Sequence, residues 1–233
     1  MTRPVSAVVG VGPGLGLAVA RRFGRDGYRV ALVGRRADAL EGYRESLQAV
    51  DVDAEGFVAD AGDPATLEAA FGAIRERLGD PSVLVYNAAV LEPGLSADLA
   101  PGKLARDFDV NVIGALAAAQ QVLPAMRAAG AGTIVFTGGG LSLEPYPRYT
   151  ALAAGKAALR SLAFSMHKEF APDGIHVAVV TVCGLIAPGT PFDPDRVADA
   201  YWQLHAESPG AWRRELVFQP PATDPDYNAP DRG

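Results

Sequence analysis

The chain has 233 residues, enough for one large α/β domain or two small ones, and its 49% hydrophobic and 21% charged content excludes a disordered or low-complexity protein. With 21 Lys and Arg against 27 Asp and Glu, the formal charge of −6 offers no surplus positive field for a phosphate backbone, so no nucleic-acid partner is expected. The apolar runs 113–119 and 177–182 fall far short of the roughly 20 residues that cross a bilayer, the start lacks a secretory pattern, and a single cysteine, Cys183, suits a reducing compartment; these features predict a cytoplasmic protein with no membrane partner.

In chain order, β-rich apolar runs at 5–9, 28–33, 56–59, 82–86, 133–137, 176–182 and 215–218 predict seven strands. Ala-rich amphipathic stretches at 15–26, 37–50, 64–78, 97–129 and 149–171 predict the helices between the first six, and 194–207 a further one. Such alternation gives right-handed crossovers and a mainly parallel sheet covered on both faces, which is why the strands read as continuous apolar runs. The predicted fold class is therefore α/β, one doubly wound domain over residues 1–218, with a Pro- and Asp-rich tail at 219–233.

The first strand runs directly into Gly10-Val11-Gly12-Pro13-Gly14-Leu15-Gly16 and then a helical pattern. Glycines there permit a tight turn, close approach of the backbone to a pyrophosphate, and close packing of helix on strand. The helix N-terminus adds free N–H groups and a partial positive charge that favour an anion.

The spacing Gly10-x-x-x-Gly14-x-Gly16 resembles the cofactor loop of the short-chain dehydrogenase/reductase family, and the resemblance runs over residues 5–218. Further landmarks match in order: Asp60 after the third strand, Asn87-Ala88-Ala89 after the fourth, Asn111 in the long helix, and Lys156 in the helix after the fifth strand. The resemblance implies a Rossmann-like domain that binds a nicotinamide dinucleotide at Gly10, Gly12, Gly14, Leu15 and Gly16. By the same resemblance Asp60 sits near the adenine, Asn87 and Ala88 form the central cofactor wall, and Lys156 binds the nicotinamide ribose. Gly184 matches the family's Pro-Gly after the sixth strand and is a further cofactor-binding position, the backbone around Ile186 would meet the carboxamide, and Thr190 the phosphates.

At the end of the second strand the sequence reads Gly34-Arg35-Arg36, where preference for NAD calls for an acid that accepts hydrogen bonds from the ribose hydroxyls. Gly34 leaves room, Arg35 supplies a fork for a phosphate and Arg36 a second cation, which predicts NADP(H) in preference to NAD(H).

The catalytic pattern of the family is broken. Four residues before Lys156, where the family's proton-donating tyrosine belongs, stands Leu152, and Gly139 stands where the serine belongs. Asn111 and Lys156 remain as the candidate catalytic residues. Tyr149, seven residues before Lys156, shares its helical face but lies about 10 Å away along the axis, against about 6 Å for the usual partner. Ser142, Glu144 and Tyr146 lie in the loop ahead of that helix and are alternative cleft residues. Cys183 reads as a small buried hydrophobe and Tyr201 and Trp202 as packing residues, while His167, His176 and His205 have no metal-ligand spacing, so no metal is expected.

Two functions fit these residues. One is an NADP(H)-dependent oxidoreductase of unusual mechanism, moving hydride between the nicotinamide and a small hydrophobic organic substrate. The other is an NADP-binding protein without redox turnover: a sensor, an interaction module or a non-redox enzyme. Family resemblance further implies a homo-oligomer, dimer or tetramer, built on helices 97–129 and 149–171, whose small residues permit close approach.

Overall fold

The computed structural model describes residues 3–219 and contains seven strands: β1 Val5–Val9, β2 Arg29–Gly34, β3 Ala54–Val58, β4 Pro81–Tyr86, β5 Gly132–Thr137, β6 Ile175–Val182 and β7 Glu215–Phe218. They form one sheet in the order β3-β2-β1-β4-β5-β6-β7, with every neighbouring pair parallel. The helices are α1 Leu15–Arg25, α2 Ala37–Gln48, α3 Pro64–Arg77, α4 Pro101–Phe108, α5 Gly114–Ala129, α6 Thr150–Phe170 and α7 Pro194–His205. Apart from Gln219, the expected tail 219–233 lies outside the described residues.

Period-two alternation splits each apolar run between two cores. In β1, Ala7 and Val9 pack beneath α3, α5 and α6 with Phe71, Ala118 and Leu159, while Val8 packs on the opposite face with Phe23 of α1, Leu40 of α2 and Tyr201 of α7. Both faces are dry, so the strands carry no polar period, as their sequences suggested. Because the chain starts mid-sheet, winds out to β3 and returns to β4, the direction of winding reverses between β1 and β4. The crevice above the C-terminal ends of those strands is where an open α/β sheet takes ligands.

The helix expected over 97–129 is divided. Pro101 occupies its first turn and holds Ala100 extended, at φ −63° and ψ 132°, so residues 88–100 form a loop instead. That loop is tied to the entrance of α6 by a bridge between Gly94 and Tyr149. Between α4 and α5 the helix widens to a π turn over Asp109–Ile113, and a carbonyl in that turn, that of Val110, accepts a hydrogen bond from the Tyr86 hydroxyl at 2.5 Å.

At the opposite end of the sheet, Nε2 of His205 lies 2.7 Å from the Tyr28 hydroxyl and Nδ1 lies 2.9 Å from that of Thr133. His176 is stacked on Trp212 with ring centroids 5.1 Å apart and donates from Nε2 to the Arg213 carbonyl at 2.8 Å. Burial holds both imidazoles below their ordinary pKa; at His176 the Arg213 carbonyl and Glu207 only partly offset it. The folded state thus favours neutral rings. Their contribution to stability is complete above the unfolded value of about 6.5 and is lost as pH falls from there through the lower folded values, because the unfolded chain then binds more protons. The melting temperature should therefore drop between about pH 7.5 and about pH 5.5, and less so in the His176→Gln variant. Identical melting curves at both pH values would refute the assignment.

Candidate active site

The turn after β1 is fixed by its glycines. Gly10 has φ +88°, and a Cβ there would lie 2.4 Å from the backbone nitrogen of Ala88, so only glycine allows the β1 and β4 ends to close together. A Cβ on Gly16 would meet the Gly10 carbonyl at 2.8 Å, so α1 descends directly onto the turn. Gly12 and Gly14 face open space, and no side chain caps the N-terminus of α1 at Gly14. A turn of bare backbone beneath an uncapped helix that starts at Leu15 fits a phosphate group, with N–H groups and helix dipole directed toward it.

Next to this turn, the amides of Gly10 and Val11 both donate to the Val33 carbonyl, at 2.9 and 3.2 Å. The end of β2 is thereby held against the glycine turn, and Arg35 and Arg36 follow it. Both are exposed, and neither side chain has a hydrogen-bond or ion-pair partner among the described residues. One strand further out, the Ala59 amide donates to the Gly34 carbonyl at 2.9 Å, which places Asp60 beside the same crevice; its carboxylate accepts the Gly62 amide at 2.9 Å.

On the other side, the Asn87 backbone amide donates to Val9 at 2.8 Å and its Nδ2 to the Gly10 carbonyl at 2.9 Å. Asn111 is carried inward by the π turn, 1% exposed, its Oδ1 accepting the Val90 amide at 2.8 Å while Nδ2 is buried without a partner. An orphaned buried donor is costly and suits a site completed by a ligand or water. Lys156, on α6, is also buried and donates from Nζ to the Thr137 carbonyl at 2.6 Å. Desolvation pushes its ammonium down to about 8, so it stays charged at neutral pH.

Leu152 lies one turn before Lys156, 6% exposed and outside both packed cores. Gly139 is extended, and a Cβ there would touch only Lys156 Cγ, at 3.8 Å. The positions of the missing tyrosine and serine therefore carry no proton donor beside the lysine: one is a buried leucine, the other a glycine with room for a small side chain. Tyr149 stands at the start of α6 and is only half-buried, Ser142 Oγ is buried without a partner, Glu144 is exposed, and Tyr146 is half-buried.

The third wall is the segment 183–193. Cys183 is half-buried, and burial, with Glu215 adding to it, pushes its thiol up, away from the nucleophilic form. Gly184 admits the Phe192 ring, which a Cβ would meet at 2.3 Å, and Ile186 leans on the α7-side core. Thr190 spends its hydroxyl within the loop, donating to the Ala187 carbonyl at 2.8 Å and accepting the Phe192 amide at 3.1 Å.

The structure brings Gly10, Gly16, Asn87, Ala88, Asn111 and Lys156 to one crevice. Two residues outside the expected site join them: Thr137, whose carbonyl holds Lys156 and whose hydroxyl donates to Asn87 Oδ1 at 3.0 Å, and Tyr201, expected as a packing residue, whose hydroxyl lies 2.8 Å from that of Thr137. A threonine at the C-terminal end of β5, where the strand meets the crevice, was the available signal for the first. Among the described residues no helix is long and apolar enough to cross a membrane, and no group of three metal-ligating side chains converges.

Comparison with known proteins bears on this crevice. The family model for short chain dehydrogenases matches residues 4–197. The chain is 30% identical over 207 residues to 2,3-dihydro-2,3-dihydroxybenzoate dehydrogenase of Bacillus subtilis, covering 89% of this chain and 75% of that one. It is 33% identical over 196 residues to 2-(R)-hydroxypropyl-CoM dehydrogenase of Xanthobacter autotrophicus, covering 79% and 73%. Among solved structures, a metagenomic short-chain oxidoreductase in complex with NADP superposes with a TM-score of 0.84 at 25% identity, over 93% of this chain and 97% of that one.

Proposed function

Because the chain belongs to the short-chain dehydrogenase family, we propose that it is an NADP(H)-dependent oxidoreductase with a non-standard active site, acting on a small hydrophobic organic substrate. The observation that carries this reading is the juxtaposition at the β1 end: an open glycine turn under an uncapped helix, with Arg35 and Arg36 unpaired at the adjoining end of β2. Two solved structures of similar chains, one at 25% identity in complex with NADP and one at 26% with 5-hydroxy-NADP, support it. When bound, the nicotinamide supplies or accepts hydride. Lys156, a buried cation, would hold the ribose, Asn111 would offer its unpartnered Nδ2 as a donor, and Leu152 would keep water from that side. Exposed Leu91, Leu143 and Leu185, on the loops after β4, β5 and β6, make the rim apolar and favour an apolar substrate.

Leu152 and Gly139 favour a second reading, a dinucleotide-binding protein without redox turnover, since neither residue can give a proton to a carbonyl oxygen. The oxidoreductase reading survives this loss because hydride transfer depends first on positioning, and a general acid contributes only about 10² to 10⁴ in rate. Titration with NADPH and NADH, followed by a screen for NADPH oxidation against carbonyls, imines and activated alkenes, separates the two. Turnover of any class supports the first; binding without turnover supports the second.

The same proposal takes residues 1–218 as one functional unit in a reducing cytoplasm. It also makes the protein a homo-oligomer, for which a groove of about 500 Å³ between α5 and α6, with Leu116, Leu123, Leu162 and Met166 in its lining beside the polar Gln120, Arg127, Ser165 and Glu169, is the supporting feature. Light scattering at micromolar concentration should give the mass of a dimer or tetramer, and Leu162→Glu should lower it. A monomeric mass for the unmodified protein would exclude the assembly.

A further inference from the structure

Three side chains from separate elements form a line of hydrogen bonds across the C-terminal edge of the sheet, ending on the glycine turn. The Tyr201 and Thr137 hydroxyls are 2.8 Å apart, Thr137 Oγ1 lies 3.0 Å from Asn87 Oδ1, and Asn87 Nδ2 lies 2.9 Å from the Gly10 carbonyl. Donor inventory fixes the direction of the line. Since Asn87 donates to Gly10 through Nδ2, its Oδ1 is an acceptor only and takes the single Thr137 proton. Tyr201 must then donate to Thr137. The backbone carbonyl of the same threonine accepts Lys156 Nζ at 2.6 Å, so one residue touches both the lysine and the wall of the glycine turn.

Tyr201 is wholly buried, 0% exposed, among Val197, Leu204 and the α1-side core. A phenylalanine would fill that space equally well, so packing alone does not require the hydroxyl. Helix α7, which carries it, is entered from the segment 183–193 and held there by Asp193, whose carboxylate accepts the Gly189 amide at 2.8 Å and the Asp195 amide at 3.0 Å.

We propose that Tyr201 is a positioning residue: acting from α7 through the Thr137 hydroxyl, it orients Asn87 and so fixes the Gly10 turn for a bound dinucleotide. A hydroxyl that accepts one hydrogen bond is a stronger and better-directed donor of the next. Loss of the tyrosine proton leaves Thr137 free to turn and the Asn87 amide less firmly set. The effect on binding rests on the dinucleotide reading of the site; the effect on the turn does not.

The test uses Tyr201→Phe, Thr137→Val, their combination, and Thr137→Ser, with two readouts. By titration, Tyr201→Phe should weaken NADPH binding about three- to tenfold, the range of one buried hydrogen bond. Thr137→Val should weaken it at least as much, the double variant no more than Thr137→Val, and Thr137→Ser should bind within twofold of the unmodified protein. By hydrogen exchange on the ligand-free protein, amides 10–12 and 87–88 should exchange faster in Tyr201→Phe, while those of α7 keep their protection. Binding by Tyr201→Phe within twofold of the unmodified protein, a double variant whose loss is the product of the single losses, or unchanged exchange at the turn would each overturn the proposal. If the unmodified protein binds no dinucleotide but the exchange result holds, the positioning role stands and the dinucleotide reading falls.

Discussion

Arg35→Ala should remove most of the preference for NADPH over NADH, a loss of about 1.5 to 3 kcal/mol, or roughly tenfold to 150-fold in relative affinity, for one charge-assisted pair with the 2′-phosphate. The expectation follows from the way β2 ends. Gly10 and Val11 both bond to Val33, so the residues just beyond Gly34 are held against the turn that would carry the pyrophosphate. No acid stands there to accept ribose hydroxyls, and the Arg35 guanidinium is exposed, with no partner among the described residues that a ligand would have to displace. Arg36 stands at the N-cap of α2, its carbonyl accepting the Leu40 amide at 3.0 Å. Arg36→Ala should accordingly cost less than Arg35→Ala. Calorimetric titration of the three proteins with both cofactors decides the matter, and equal binding of NADPH and NADH by the unmodified protein would refute it.

Much of the architecture was legible because the sheet is covered on both faces: continuous apolar runs separated by amphipathic stretches admit few other arrangements. The glycine turn was equally legible, since Gly10 and Gly16 occupy places that a Cβ would fill with clashes, and such constraints appear directly as residue type. The break in the long helix was not. Pro101 and Gly114 were visible, but the π turn between them is set by tertiary bonds, Asn111 to the Val90 amide and Tyr86 to the Val110 carbonyl, which no local periodicity encodes. Tyr201 was hidden for a related reason. Its place on an apolar helical face is that of a packing residue, and its partner Thr137 is 64 residues away in the chain, brought near only by the return of α7 beneath β5.

Leu152→Tyr alone should not produce a ketone reductase, whereas Leu152→Tyr combined with Gly139→Ser should give weak reduction of aromatic ketones. Leu152 is one helical turn from Lys156, whose buried ammonium is charged at neutral pH and would lower the pKa of a phenol placed there. The single change restores a proton donor but no group to orient the carbonyl, and the larger ring closes space that the native ligand would use. Gly139 can take the serine: its backbone is extended, at φ −168° and ψ 149°, and an added Cβ meets only Lys156 Cγ at 3.8 Å. Asn111 and the Thr137 anchor of Lys156 are untouched, so the pair rebuilds donor and orienting hydroxyl on an existing frame, toward the roughly 10² to 10⁴ in rate that a placed acid contributes. Activity of the double variant should decline as pH rises through about 8, where Lys156 loses its charge. NADPH oxidation with a panel of aromatic ketones measures all of this. Robust ketone reduction by the unmodified protein, insensitive to replacement of Glu144, Tyr146 and Tyr149, would mean that the lysine, with Asn111, suffices for the proton step and that the loss of the tyrosine has changed far less than the apolar wall at Leu152 implies.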